Sequence, residues 1–447
     1  MATKVADWRS EQAPPWAQPE VPPHKMEGSR YTDRGFFADE WEHMWTNVWL
    51  LLGRESEIPE PGDFQVEDVG PESIIMVRQK DGSVKAFYNA CQHRGSRLLF
   101  ADKGHVDNIV CPYHSWTYAW DGELTYVQDP EDFSGGNPCD DLSLVEVACE
   151  TFCGWVWVNM NPDCESLEEY LGPVWEDWQA WQPDGWRRMT AISAWVPCNW
   201  KVIQDNFCES YHLLTVHPQL TANIEEGVPW TRFDMSHEGH NRMVMQGGMP
   251  SHRQEGGPEI VSPLLEQLDM WELKADDFKG REFDTRRAIQ QQMRSLGPKR
   301  GYAHYDRLRD ERLTDPHHFN IFPNCSVTFA ADSVLLQRMR PDPLDPQRCR
   351  FDHWVYVSPE SIEAGIFRSG RLEFTGDAEV NMIEYGDAPM GMVPDQDIGT
   401  TAGQQLGLRS RGYRGARLAD QESRIARLHH VIDEYISGER PRASNAD

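Results

Sequence analysis

The sequence predicts an α+β chain in which a small all-β module precedes a larger mixed domain. Three observations predict it: a length of 447 residues, about three times that of a usual domain; short β-rich runs at close spacing between about 45 and 160; and helix-period segments mixed with strands after Asn161. The expected division is 1–45 as an N-terminal arm and helix belonging to the later domain, 46–160 as the β module, and 161–447 as the α+β domain. Residues 1 to about 30 are rich in Pro and charge (Ala13-Pro14-Pro15-Trp16, Pro19, Pro22-Pro23) and read as an extended arm. Ser73–Arg78 and Val84–Tyr88 are β-rich runs around the turn Lys80-Asp81-Gly82-Ser83, a hairpin. Trp116–Trp120 and Leu124–Val127 repeat the pattern around Asp121-Gly122, and Gly154–Val158 closes the module. Behind it, helical patterns are expected at 165–181, 199–215, 261–297 and 414–437, and strands near 187–196, 320–339 and 350–357. The charged stretch 253–315 reads as a solvated helical insertion rather than a lid.

Asp and Glu number 72 against 43 Lys and Arg, a net charge of -29, which argues against nucleic acid or an anionic membrane as a partner. The longest apolar runs, such as Val48–Leu52, are far shorter than the ~20 residues of a membrane span. With no apolar segment behind the N-terminal charge, a cytoplasmic address is expected. There the ten cysteines are reduced or metal-bound rather than paired.

Two groups of residues carry chemistry. Cys91-Gln92-His93 and Cys111-Pro112-Tyr113-His114 each lie where a predicted strand ends, so each loop offers one thiolate and one imidazole. Two facing loops then give both sulfurs to one iron and both nitrogens to another, as a Rieske 2Fe-2S centre requires. The alternative is a Cys2His2 zinc site, although such sites usually place Cys with Cys and His with His. The second group is the helical segment from Asn199 to Pro218. On a straight helix His212 and His217 stand about 140° apart, too far round to share an ion. Pro218 pushes His217 out of the α region and lets it turn back toward His212. Two imidazoles need a carboxylate to complete a 2-His-1-carboxylate Fe(II) site with open positions. Asp205 lies about 10 Å before His212 on a helix, a poor candidate, and Glu209 lies one turn before it. Glu40/His43 with Glu209/His212 also satisfies half of a di-iron pattern, but that class needs a four-helix bundle. The adjacent pairs His317-His318 and His429-His430 point their side chains apart, and His237/His240 has only helical spacing in its favour.

Cys91-Gln-His-Arg-Gly95 and Cys111-Pro-Tyr-His-Ser-Trp-Thr117, with Asn199-Trp-Lys, Asp205-Asn206, Glu209-Ser-Tyr-His212 and His217-Pro218, resemble the large (alpha) subunits of Rieske non-haem iron aromatic-ring-hydroxylating oxygenases. The resemblance covers about 45–220 and 390–440, with the middle matched loosely through Asn320–Asn324. It implies a helix-grip catalytic domain, an antiparallel sheet with a long C-terminal helix. It also implies a Rieske cluster on Cys91, His93, Cys111 and His114, and a mononuclear Fe(II) on His212, His217 and a downstream carboxylate. Asp397 is that ligand and Asp395 the reserve. Glu209 would bridge His114 of one subunit to His212 of the next in a ring of three, where many members use Asp. Asn206 and Tyr211 would orient the ligands. The implied activity is a dioxygenase or monooxygenase that hydroxylates an aromatic or hydrophobic small molecule with O2, as in aromatic hydrocarbon catabolism; N- or O-demethylation is the alternative outcome. A catalytically silent electron-transfer Rieske protein is a further alternative. With no G-x-G-x-x-G in the chain, electrons from NAD(P)H would arrive through a separate flavin reductase or ferredoxin. Arg94, Arg97 and Lys103 either form the docking patch for it or brace the cluster loops. A homotrimer, with or without a small beta subunit, is expected.

Overall fold

The computed structural model describes residues 12–16, 18–21, 25–367 and 370–440, so Pro22 and Pro23 of the arm lie outside the described residues. The described residues fall into two compact units, one holding those up to 37 together with those of 171–433, and the other 38–170 with 434–440.

In the second unit a seven-stranded sheet runs in the order Leu50–Arg54, Trp155–Asn159, Glu146–Phe152, Val84–Tyr88, Glu72–Arg78, Asp63–Val69, Lys103–His105, with every neighbouring pair antiparallel. The hairpin after Arg78 forms as expected: Gly82 takes φ 88° and Asp81 Oδ1 accepts from Ser83 N. A three-stranded sheet of Ile109–Val110, Thr117–Tyr118 and Leu124–Tyr126 packs Ile109, Tyr118 and Leu124 into one core with Phe64, Ile75 and Phe87. The strand expected over 116–120 keeps only Thr117–Tyr118, because the carbonyl of Trp116 accepts from Cys111 N and closes the preceding loop.

The other unit is built on an eight-stranded sheet ordered Arg232–Met235, Asn241–Val244, His317–Ile321, Cys325–Phe329, Ser333–Pro341, Cys349–Val357, Arg187–Val196, Asn381–Glu384. Its last pair is parallel and the rest antiparallel. Alternation along His317–Ile321 gives the sheet two faces. Phe319 meets Trp178 and Phe329, and Trp181 stacks on Phe329 with centroids 4.7 Å apart. On the other face His318 Nε2 and Asn320 Nδ2 donate to Phe207 O of the helix Trp200–Phe207. Burial and the Arg424 charge push the pKa of His318 down to about 3, which leaves it a neutral donor.

Further elements differ from the sequence expectation. The pattern at 165–181 breaks at Gly172, φ 50°, into Leu167–Leu171 and Pro173–Gln179. The stretch 253–315 is more than a solvated insertion, since Leu264, Leu268, Trp271, Phe278, Ile289 and Met293 in it are buried. The 17-residue helix Met392–Leu408 escapes the pattern reading, because Pro394, Gly399, Gly403 and Gly407 lower its propensity; Pro394 is tolerated in the first turn. The arm is anchored by buried polar contacts, with Trp16 Nε1 donating to Asp177 and Ala13 N to Glu311.

Asp352 in the sheet is wholly buried and paired with Arg338, Arg340 and Arg350. Burial raises its pKa, but those guanidiniums and the Ser193 hydroxyl more than reverse the effect and hold it well below the ordinary range. A carboxylate with a depressed folded pKa stabilises above its unfolded pKa and ceases to as the pH falls. Asp352→Asn is therefore expected to cost about 3–5 kcal/mol at neutral pH, read as a lower denaturation midpoint. The difference from the unsubstituted protein should shrink as the pH drops below about 4.

Candidate metal centre

The helix Trp200–Phe207 is capped by the Asn199 side chain on Lys201 N and ends at Cys208. Glu209-Ser210-Tyr211 turn, and His212 caps the short helix Leu213–Val216. The continuous helix expected over 199–215 is thus broken upstream of His212, and the bend needed to bring the two histidines together does not rest on Pro218 alone. His217, at φ -124° and ψ 51°, does leave the helix before Pro218. Asp397 lies in the second turn of Met392–Leu408, which packs against Trp200–Phe207.

These elements place one donor atom from each of His212, His217 and Asp397 within 4.8 Å of one another. Nε2 of His217 stands 2.8 Å and that of His212 3.6 Å from Asp397 Oδ1. The outward nitrogens are occupied: His212 Nδ1 lies 2.6 Å from Glu209 Oε1, and His217 Nδ1 lies 2.8 Å from Gln396 Oε1. Since both partners accept, both rings carry the proton on Nδ1 and turn the Nε2 lone pair inward. Gln219 Nε2 donates to the same Gln396 oxygen and fixes the orientation of that amide. Asn206 Nδ2 donates to Asp397 Oδ1 at 3.0 Å. Asp397 is 1% exposed and its Oδ2 has no hydrogen-bond partner, an anion in need of a cation. Burial opposes charging His217, but its hydrogen bonds to Asp397 and Gln396 and the nearby carboxylate charges together outweigh burial and lift its pKa. The donor set and the orphaned oxygen fit a ferrous ion with open positions.

Asp395 caps its helix, with Oδ1 accepting from Met390 N and Oδ2 from Gly391 N, and so is not drawn to the triad. Asp205 accepts from Tyr31 Oη and lies 3.0 Å from His429 Nε2. Tyr211 is 54% exposed and stands apart from the groups gathered here. Gln396 and Gln219 are missed by sequence reading, although Gln396 adjoins the ligand. A cavity of about 330 Å³ lined by Leu214, Pro218, Gln219 and Val261 borders the segment after His217; a larger one, near Tyr302 and Arg371, does not touch the triad.

The Cys/His loops form a matched pair. Cys91 O accepts from Gly95 N and Cys91 N donates to Ser96 O; Cys111 O accepts from Ser115 N and Cys111 N donates to Trp116 O. Gly95 and Ser115 hold the same left-handed position, φ 72° and 55°. Both sulfurs are buried, and Tyr118 Oη lies 3.3 Å from Cys91 Sγ. The imidazoles of His93 and His114 meet edge-on with centroids 4.7 Å apart, and His93 stacks on Trp116. His114 Nδ1 is buried without a partner, as a metal-facing nitrogen is. Among the described residues the only three or more such donors within 4.8 Å of one another are the His212 triad. The four loop ligands therefore do not converge on one point as a tetrahedral zinc site requires, and a two-iron cluster fits them. Arg97 pairs with Asp68 and donates to Leu99 O, a bracing role, while Arg94 lies over the Tyr113 ring.

Asp397→Ala should lower bound iron from about three to about two atoms per chain, with acid-labile sulfide and the reduced Rieske EPR signal unchanged. Gln396→Leu should weaken Fe(II) binding by about 10–100-fold, measured by competition with a chelator.

Residues 48–135 match the Rieske [2Fe-2S] domain, and 183–438 match the ring hydroxylating alpha subunit catalytic domain. The chain is 31% identical over 242 residues to the biphenyl 2,3-dioxygenase alpha subunit of Rhodococcus jostii, covering 53% of each. It is 29% identical over 315 residues to the chlorobenzene dioxygenase alpha subunit of a Cupriavidus species, covering 68% of this chain and 65% of that one. It is 30% identical to the carnitine monooxygenase oxygenase subunit of Escherichia coli, covering 49% and 57%. The aligned stretches thus span between half and two thirds of those relatives. The fold is shared with naphthalene 1,2-dioxygenase from Rhodococcus bound to indole, at TM-score 0.63, 18% identity and coverage of 93% and 95%. A quaternary ammonium Rieske monooxygenase shares it at TM-score 0.64, 22% identity and coverage of 92% and 95%. The alpha-subunit catalytic model alone takes in more than half of the chain, so this protein belongs to the alpha subunits of the Rieske ring-hydroxylating oxygenases.

Proposed function

We propose that this chain is the catalytic component of a multicomponent oxygenase that hydroxylates an aromatic or other hydrophobic small molecule. The observation that carries the proposal is the convergence of His212, His217 and Asp397 in a chain that also holds the paired Cys/His loops. A Rieske electron carrier has no use for the triad. When bound, the cluster and the ferrous ion supply one-electron transfer and the activation of O2. In the overall reaction O2 takes up two electrons and two protons besides the substrate. Both oxygen atoms enter the product in dioxygenation; one enters and one leaves as water in monooxygenation. The electrons come from NAD(P)H through a reductase or ferredoxin, since the chain carries no nicotinamide-binding fingerprint.

The protein's own residues do the positioning. Glu209 holds the Nδ1 proton of His212 and Gln396 that of His217, and Asn206 steadies the carboxylate. In a homotrimer Glu209 links His212 to the partner subunit's His114, so that electrons cross between copies. The chlorobenzene and biphenyl dioxygenase relatives favour ring dioxygenation, while the carnitine monooxygenase relative favours monooxygenation as the second reading. Product analysis under labelled dioxygen separates them, with two labelled atoms in a ring diol for the first and one for the second.

Glu209→Gln should keep iron and sulfide at their normal content yet slow turnover by about 10–100-fold; stopped-flow oxidation of the reduced cluster reads the effect directly. Full activity in that variant would remove Glu209 from the electron route.

A further inference from the structure

Arg424, in the first turn of the helix Ser423–Ile436, is wholly buried. Its Nη1 donates to Asn241 Oδ1 at 2.9 Å and its Nη2 to Met243 Sδ at 3.3 Å, while Nε has no acceptor. The guanidinium lies over the Phe233 ring at 5.4 Å. Among the described residues no carboxylate stands within ion-pair distance of it, whereas buried Arg242 is paired with Asp177 and Asp234, and buried Arg338 with Asp352. A thioether is a weak acceptor, and the Asn241 oxygen also serves Asn320 Nδ2. Burial draws the pKa of Arg424 down to about 10 against the distant pull of Cys208, Glu209 and Asp234, so it remains charged at neutral pH. A buried cation without a counter-ion is costly to keep, and buried charges otherwise occur as pairs or at sites of function.

The surroundings lead to the metal triad. Met243 packs with Leu213 and Met245, and Leu220, Ile224 and Phe233 join them. Leu213 directly follows His212, and Leu220 lies three residues past His217. Methionine side chains yield readily and make room for a ligand.

We propose that Arg424 anchors the carboxylate of the substrate, an apolar small molecule whose hydrocarbon part lies among Leu213, Met243 and Met245. The carboxylate offers the two parallel acceptors that fit a guanidinium fork, and it brings the missing counter-charge. The proposal rests on the oxygenase reading of the triad.

The test is calorimetric titration of the holoenzyme with benzoate, 3-phenylpropionate and octanoate, each against its primary amide. At least one carboxylate should bind tenfold or more tightly than its amide, and Arg424→Met should abolish that preference with the amide affinity unchanged. Arg424→Lys should retain part of it. Arg424→Met should melt no lower than the unsubstituted protein, because an uncompensated buried charge is removed. Carboxylates binding no better than amides in the unsubstituted protein, or a preference that survives in Arg424→Met, overturns the anchor. The first comparison needs no variant to fold. Iron analysis of the same sample separates the two readings. A carboxylate preference in a protein without the mononuclear iron sinks the oxygenase reading alone, and iron without the preference sinks the anchor alone.

Discussion

A carboxylate with an unpartnered oxygen, buried against two imidazoles, is the constraint around which the catalytic unit is arranged. Asp397 is 1% exposed and one of its oxygens accepts nothing. An isolated buried anion of this kind costs several kcal/mol unless a cation meets it. His212 and His217 can provide that cation as a bound metal, or His217 can provide it as a proton, and the geometry serves both. The neighbours matter because they remove the other choices. Glu209 and Gln396 take the outward Nδ1 protons, so neither ring can rotate its lone pair away without leaving an acceptor unmet.

Holding that arrangement requires rigid elements on both sides. The helix Met392–Leu408 carries Asp397 from far down the chain, and the break after Phe207 turns His212 toward it. The sheet supports the break directly: His318 and Asn320 both donate to Phe207 O, a carbonyl that the ended helix leaves without its own partner. The opposite face of the same strand is filled with Trp and Phe rings. One strand thus serves the apolar core with its odd residues and the site with its even ones. Around Asp352 and Arg242 the buried charges meet their opposites in ion pairs.

The legible parts of the sequence were those set by short spacing. The two Cys/His loops announce themselves because each ligand pair is local and each loop ends a β run, and the strands around Ser73–Arg78, Val84–Tyr88 and Arg187–Val196 follow from β-branched and aromatic residues. His212 and His217 were legible as a pair, and Asp397 through resemblance. What escaped depends on contacts distant in the chain. The helix break at Cys208 has no Gly or Pro to mark it, and it is stabilised by residues more than a hundred positions away. Met392–Leu408 has a poor helical composition and is held by packing on Trp200–Phe207. Gln396 and Arg424 look like ordinary surface residues in sequence; only the fold buries the guanidinium beside Met243 and Phe233.

The two histidines of the triad are not equivalent. His217 and Asp397 are 4% and 1% exposed in their side chains, and the outer partner of His217 is a neutral amide. His212 is 19% exposed, and its outer partner is a carboxylate on the turn that also carries exposed Tyr211. A carboxylate accepting from an imidazole raises the ring's basicity more than an amide does. Tyr211 brings that turn to the surface, while Glu209 and Ser210 beside it stay buried. Both effects set His212 apart as the less enclosed ligand, with Glu209 as its outer partner. His212 occupies both oxygens of Glu209, Oε1 at its Nδ1 and Oε2 accepting from its backbone N–H, so the carboxylate is fixed to that one ligand at two points and the ring cannot turn without breaking its hold.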